Sequence, residues 1–155
     1  MKQGDQEWHK ARKHRITASA IGKMMIGGAL VDELLQDLVR DGLGCPRAFQ
    51  GNVATEYGQE HEPEARIEYV MQTGNAVEET GFHVHHRIDW MGASPDGLVG
   101  DDGLLELKCP YKLRNATDVP DELVEIDESN VYWHQMQCQM HVMDRQWCDF
   151  GESIS

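Results

Sequence analysis

Two carboxylates and an amine, Asp96, Glu106 and Lys108, stand inside one short apolar stretch, "SPDGLVGDDGLLELKCP", at residues 94–110. Side chains alternate along a strand, so Glu106 and Lys108 share one face while Leu105 and Leu107 point the other way. The "GDDG" at 100–103 is strong hairpin chemistry, and the turn it makes brings Asp96 near Glu106. Carboxylates held this close repel unless a cation lies between them. Lys108 can neutralise one of them, and a divalent metal does so better. Hard oxygen ligands suit Mg²⁺, which keeps several waters and is held by one or two carboxylates. The Leu107 carbonyl offers a further oxygen. The plainer alternative is a structural ion-pair cluster, the better account of so short a pattern on its own. Three features favour the metal. The Ser-Pro-Asp-Gly turn fixes the direction of Asp96. Leu104, Leu105 and Leu107 bury the strand, so its charges require partners. A further acid, Glu62, lies upstream on a helix.

The elements that position these groups follow from pattern. A short N-terminal helix is predicted, then a loop at 16–18 and a second helix from near Ser19, since Ser and Thr there are good caps. "ALVDELLQDLVRDG" sets Leu30, Leu34, Leu35 and Leu38 on one face, with Gly42 as a stop. "GLGCPRAFQGN" is predicted as a loop. A long helix follows to Gly74, with Pro63 expected to kink it beside Glu62. Extended segments are predicted at 76–86, 88–93 and 97–99, the last paired with 104–108. "SNVYWHQMQCQMHVM" is predicted as a helix capped by Ser129, and "QWCDF" starts a final strand. The order predicts an α/β domain with a mixed sheet flanked by helices.

The 155 residues suit one domain with its own core, and 40% apolar content is globular. No apolar run approaches a membrane span, and the N-terminus lacks the apolar segment of a signal peptide. A soluble, cytoplasmic protein is expected. Cys45, Cys109, Cys138 and Cys148 are scattered without a CxxC pair, which disfavours structural zinc or an iron–sulfur cluster and favours free thiols. The net charge of −13 is unusual for a nucleic-acid binder. Its distribution is uneven, however. Residues 1–25 carry Lys2, Lys10, Arg12, Lys13, Arg15 and Lys23 against Asp5 and Glu7, net +4, which leaves −17 on the rest. A basic arm on an acidic body can hold a polyanion locally.

The stretch "SPDGL…GLLELKCP" resembles the P-D-(D/E)-x-K nuclease signature in the form found in the lambda exonuclease, or YqaJ-like, viral recombinase family. "QGDQEWHKARKHRITAS", "YGQEHEPEAR" and "QMQCQMHVM" resemble three further motifs of that family, in the same order. The resemblance implies a restriction-endonuclease-like core, a mixed central sheet flanked by helices, in a single nuclease domain over 1–155. It implies a Mg²⁺-dependent exonuclease, with Mn²⁺ able to substitute, that degrades the 5′-ended strand of duplex DNA. The product is a 3′ single strand for an annealing partner, in a phage or prophage setting in the bacterial cytoplasm. Asp96 and Glu106 then resemble metal ligands with the Leu107 carbonyl, and Glu62 the acid for a second metal or its water. Lys108 resembles the residue that orients or activates the attacking water, which a lowered pKa would assist. Gln137 resembles a glutamine near the catalytic centre, with Gln135 the weaker choice. Arg12, Ser19 and Ser94 resemble a pocket for the terminal 5′-phosphate.

Family members continue past the "QWCDF" strand, so a shortened C-terminus is expected here. That departure removes support for the family's ring-shaped homotrimer and for processive digestion. Two alternatives stand beside the exonuclease: an endonuclease or repair nuclease with the same site, and an inactive DNA-binding or assembly module. His83, His85 and His86 are expected to be ordinary sheet residues, His61 a non-ligand, and the four tryptophans core or partly buried. Trp8 could alternatively shape the DNA-end pocket.

Overall fold

The computed structural model of the chain describes residues 1–45, 53–113 and 126–153, so that all but the first four residues of the predicted loop at 42–52 lie outside the described residues. Among the described residues five α-helices and seven strands follow in chain order: α1 (Gln6–Arg12), β1 (Ile16–Thr17), α2 (Ala18–Ile26), α3 (Ala29–Gly42), α4 (Val53–Thr73), β2 (Val77–Glu78), β3 (His83–Val84), β4 (Met91–Ala93), β5 (Gly97–Val99), β6 (Gly103–Lys108), α5 (Val131–Met143) and β7 (Trp147–Glu152). The strands form two mixed sheets, β1-β4-β3 and β2-β5-β6-β7. The predicted segment at 76–86 is therefore two strands serving different sheets. The predicted loop at 16–18 is a strand that runs parallel to β4, with Thr17 opposite Gly92. Thr17, not Ser19, caps α2, its hydroxyl accepting from the Ala20 amide. Asn130, not Ser129, caps α5 through its side chain. In both cases the cap falls where the backbone is still extended, just before the first helical residue.

The β5–β6 hairpin is as predicted: Val99 pairs with Gly103, and Gly100 takes a left-handed φ of 57° in the connection. Strand β6 then pairs in parallel with β7 through the crossover helix α5. Both faces of β6 are covered. Leu105 and Leu107 pack with Ala65 of α4, Val99 and Cys109. On the opposite face α5 lies over Glu106. A second cluster, Ala18, Ala93, Cys138 and Val142, joins α2, β4 and α5. Helices α2 and α5 approach so closely that a Cβ on Gly22 would lie 2.6 Å from the Val131 carbonyl oxygen.

Helix α4 continues through Pro63 as one element. The leucine face predicted for α3 stays largely open: Leu35 and Leu38 are exposed, because α3 packs chiefly on α2. The Leu30 side chain lies outside the described residues. Trp90, expected to be at least partly buried, is 52% exposed. Among the described residues no helix is long and apolar enough to cross a membrane.

Candidate active site

Glu106 is the centre of the site, a carboxylate only 2% exposed. A buried charge must be paired and hydrogen-bonded. Three donors meet that need: Lys108 Nζ at 2.5 Å and Gln135 Nε2 at 2.7 Å both reach Oε1, and Gln139 Nε2 reaches Oε2 at 2.8 Å. Lys108 also lies 5.1 Å from the centre of the Tyr132 ring. Burial alone would lower the Lys108 pKa, but Glu106 and then Asp96 hold it above the ordinary lysine value. Of the two roles expected of Lys108, steering the water suits this protonated, metal-free arrangement better than taking a proton from it. The site stabilises the ammonium, which can orient water by donating hydrogen bonds.

Gln137, expected near the catalytic centre, does not reach Glu106 in the structure. It is exposed, on the far side of α5 from Glu106. Residues four apart share a helix face and residues two apart do not, so Gln135 and Gln139 meet the carboxylate together while Gln137 turns to solvent. Gln135 had been the weaker choice, and Gln139 was missed. The i, i+4 spacing of the pair was the available signal.

Asp96 sits just ahead of β5, its amide bonded to the Leu105 carbonyl at 3.0 Å. Its Oδ2 accepts from the Leu107 amide at 2.8 Å. The following Gly97 is required by crowding, since a Cβ there would lie 2.3 Å from Val77. Burial, then the charges of Glu106 and Glu62, push the Asp96 carboxyl well above its usual range. Glu62, on α4, is raised by burial against the pull of Arg66, whose Nη2 donates to Oε1 at 2.7 Å. Glu62 and Asp96 together border two clefts. One, of about 950 Å³, extends to Gln3 and Trp8. The other, of about 330 Å³, extends to Lys108 and Tyr132.

Of the predicted phosphate residues, Arg12 and Ser94 meet Trp8, which lines the larger cleft. Trp8 Nε1 donates to Ser94 Oγ at 2.8 Å, and the Arg12 guanidinium stacks on the Trp8 ring at 4.0 Å. Burial lowers the Arg12 pKa, yet a guanidinium keeps its charge in proteins. Among the described residues Arg12 has no ion-pair partner, which leaves it available to an anion. Ser19 lies in the first turn of α2, its hydroxyl 3.1 Å from that of Thr17. Because β1 and β4 are parallel, the start of α2 and the Ser94 turn leave the sheet at the same end. Gln3, quoted in the N-terminal motif but given no role there, makes long contacts of 3.3–3.5 Å to the carbonyls of Ser94 and Pro95 and to Asp96 Oδ1.

Among the described residues no three side chains of His, Cys, Asp and Glu close on one point as a ready-made metal cage. The donor chemistry nonetheless fits a hard divalent cation held largely through water. Glu62, Asp96 and Glu106 outnumber the cations beside them, Lys108 and Arg66, and Glu79 shares Arg66. That excess of negative charge is what raises Asp96 after burial, and a cation would relieve it. His9 lines the larger cleft. His61 stacks on Tyr57 at 3.9 Å, and buried His85 stacks on His86 and His141.

The family model of the YqaJ-like viral recombinase domain matches residues 7–146. Among solved structures, the chain is similar to an alkaline exonuclease, LHK-Exo, from Laribacter hongkongensis. The TM-score is 0.77 and the identity 37%, over 97% of this chain and 75% of that one. It shares the fold of a phage related exonuclease from Haemophilus somnus 129PT, with TM-score 0.65 and 19% identity over 89% of this chain and 68% of that one. Among curated proteins, the uncharacterized protein R354 of Acanthamoeba polyphaga mimivirus is 26% identical over 96% of this chain, which spans 28% of that protein's length. With a match over nine-tenths of its length and four ordered motifs on one site, the chain belongs to the YqaJ-like viral recombinase domain family.

Proposed function

We propose that this domain is a divalent-metal-dependent deoxyribonuclease acting on the 5′-phosphorylated ends of duplex DNA, leaving 3′ single strands for an annealing partner. One observation carries the reading: the acids Glu62 and Asp96 border a cleft also lined by Trp8, which is bonded to Ser94 and lies under the Arg12 guanidinium. Ser94 and Asp96 are two residues apart on one extended turn, a separation of at most about 7 Å. That is close to the distance between neighbouring phosphates of one strand. A terminal phosphate held at Arg12 and Ser94 would therefore set the next phosphodiester bond beside Asp96. End dependence and short steps along the strand follow from that spacing.

Asp96, Glu106 and the Leu107 carbonyl would hold the cation, Mg²⁺ or Mn²⁺, with Glu62 facing it from α4. Bound there, a divalent cation supplies charge relief at the phosphate and a more acidic water. The chain's own residues do the remainder. Gln135 and Gln139 fix the Glu106 carboxylate from above, and Lys108 steers the nucleophilic water by hydrogen bonding while countering charge on the phosphate. Arg12 and Ser94 offer a guanidinium and a hydroxyl suited to a phosphate dianion.

The test is digestion of linear and of closed circular duplex DNA, with Mg²⁺ or EDTA, by the wild type and Lys108→Ala. The expected result is Mg²⁺-dependent loss of linear DNA only, abolished in Lys108→Ala. Digestion that persists in EDTA refutes the metal, and nicking of closed circles replaces the exonuclease with an endonuclease.

A further inference from the structure

One buried cation in the larger cleft has no part in the scheme above. Arg66 lies one helical turn beyond Glu62 and lines the same cleft. Its Nη2 donates to Glu62 Oε1 at 2.7 Å, and its Nη1 pairs with Glu79 just beyond β2. Its Nε is buried without a partner among the described residues. The side chain is only 15% exposed, whereas Glu79 is 64% exposed. This guanidinium therefore bridges an acid of the site to an acid outside it.

We infer that Arg66 is a built-in counter-ion that competes with the divalent cation for Glu62, and so sets how tightly the site takes metal. The inference rests on the metal reading above. A guanidinium cannot withdraw by losing its proton, so it stays a fixed positive charge beside the acids. It occupies one oxygen of Glu62, a residue that itself lines the cleft. It thus orients the carboxylate and weakens its pull on a cation at the same time. Glu79 acts as the anchor: by sharing the guanidinium, it limits how much of that charge Glu62 and Asp96 feel. A brace that merely ties α4 to the sheet would have no such effect on metal affinity.

Mn²⁺ binding, read in the absence of DNA by titration calorimetry and by the loss of the free Mn²⁺ spin-resonance signal, separates the two roles. Arg66→Gln is expected to bind Mn²⁺ about tenfold more tightly, because a positive charge beside the site is removed. Arg66→Lys keeps the charge and is expected to stay within about threefold of the wild type. Glu79→Gln, an exposed change that leaves the fold intact, is expected to weaken Mn²⁺ binding about threefold, with Glu78→Gln as the neighbouring control that moves it less. Unchanged or weaker binding in Arg66→Gln, or unchanged or tighter binding in Glu79→Gln, overturns the inference while leaving the nuclease reading intact. A wild-type protein that takes no Mn²⁺ at all overturns both.

Discussion

Replacing Gln139 with leucine separates the stability of the site from its function. The side chain is 1% exposed. Its amide nitrogen donates to Glu106 Oε2 at 2.8 Å, while its own Oε1 is buried without a partner among the described residues. A hydrogen bond to a charged group contributes about 1.5–3 kcal/mol, and a buried acceptor left unsatisfied costs about 1–3 kcal/mol. Leucine removes both but leaves the buried Glu106 Oε2 without its donor, so the relief at Gln139 Oε1 offsets only part of the loss, and the unfolding free energy is expected to fall by less than about 3 kcal/mol. Function has no such cancellation. Oε1 of Glu106 keeps Lys108 and Gln135, but Oε2 loses its donor, and the carboxylate is free to turn. A displacement of about 1 Å in a catalytic group costs on the order of a hundredfold in rate. Urea denaturation of the metal-free protein, with turnover on linear duplex DNA at saturating Mg²⁺, reads the two quantities separately. Gln135→Leu is expected to lose less turnover, because Lys108 still holds the same oxygen. Gln137→Ala, on the solvent face, is expected to change neither quantity. A stability loss above about 3 kcal/mol in Gln139→Leu would mean that its Oε1 has a partner after all. Equal loss of turnover in Gln137→Ala and Gln139→Leu would refute the assignment of the α5 faces.

Asp96→Asn is expected to stabilise the metal-free protein at pH 7 while abolishing Mn²⁺ binding, since burial and then Glu106 and Glu62 penalise the Asp96 charge. A carboxyl whose pKa is raised on folding favours the fold fully below its unfolded value of about 3.9, and that contribution is lost as pH rises through the folded value. The melting-temperature gap between variant and wild type in EDTA, roughly 2–4 °C for each kcal/mol relieved, is therefore expected to close as the pH falls; a variant that melts lower at pH 7 would count against the reasoning. Arg12→Ala is expected to lower kcat/KM on 5′-phosphorylated ends by about 10- to 100-fold, the worth of a charge-assisted contact, and to spare 5′-hydroxyl ends. Trp8→Phe, which keeps the ring under Arg12 but loses the bond to Ser94, is expected to fall between the two, and equal losses on both kinds of end would remove the phosphate pocket. In the turnover-deficient Lys108→Ala, fluorescence anisotropy is expected to show tighter binding of duplex ends with Mg²⁺ than with EDTA, and equal affinities would show that cation and DNA do not share the site.

What could be read from the sequence divides along physical lines. The hairpin was legible because strand alternation and "GDDG" are local signals: Glu106 and Lys108 share a face, and Leu105 and Leu107 enter the core, as the period of two requires. The two-sheet division was not legible, because β2 and β3 are two-residue strands whose partners are set by tertiary packing alone. The caps at Thr17 and Asn130 fell beside the predicted ones, since Ser, Thr and Asn compete at neighbouring positions and the backbone decides among them. Asp96 was singled out by the hairpin and Glu62, Arg12 and Ser94 by resemblance; Asp96 and Glu62 border one cleft, and Arg12 and Ser94 both meet Trp8, which lines it. Gln139 and Arg66 were missed for a shared reason. Each bonds to a carboxylate that the motifs single out, and each stands at i, i+4 from a partner on its own helix, a spacing too common in helices to mark a site alone.

The acidity of the chain, awkward for a partner that is itself a polyanion, becomes intelligible once charge is placed in space. Helix α1 carries Lys10, Arg12 and Lys13, and its Trp8 is bonded to Ser94, two residues from Asp96. The basic helix α1 thus lies, through Trp8, at the edge of the cleft that Glu62 and Asp96 border. Under the proposed function that juxtaposition discriminates. Internal stretches of duplex present phosphates to the acids and to the basic arm alike, and gain little. A strand end can enter with its extra terminal charge toward Arg12, leaving a single phosphate to face Asp96, Glu106 and Glu62. Those three acids oppose even that phosphate until a divalent cation stands between them. The burial that makes Glu106 costly to the fold, and that keeps Asp96 reluctant to ionise, is thus the same feature that would make DNA binding conditional on metal.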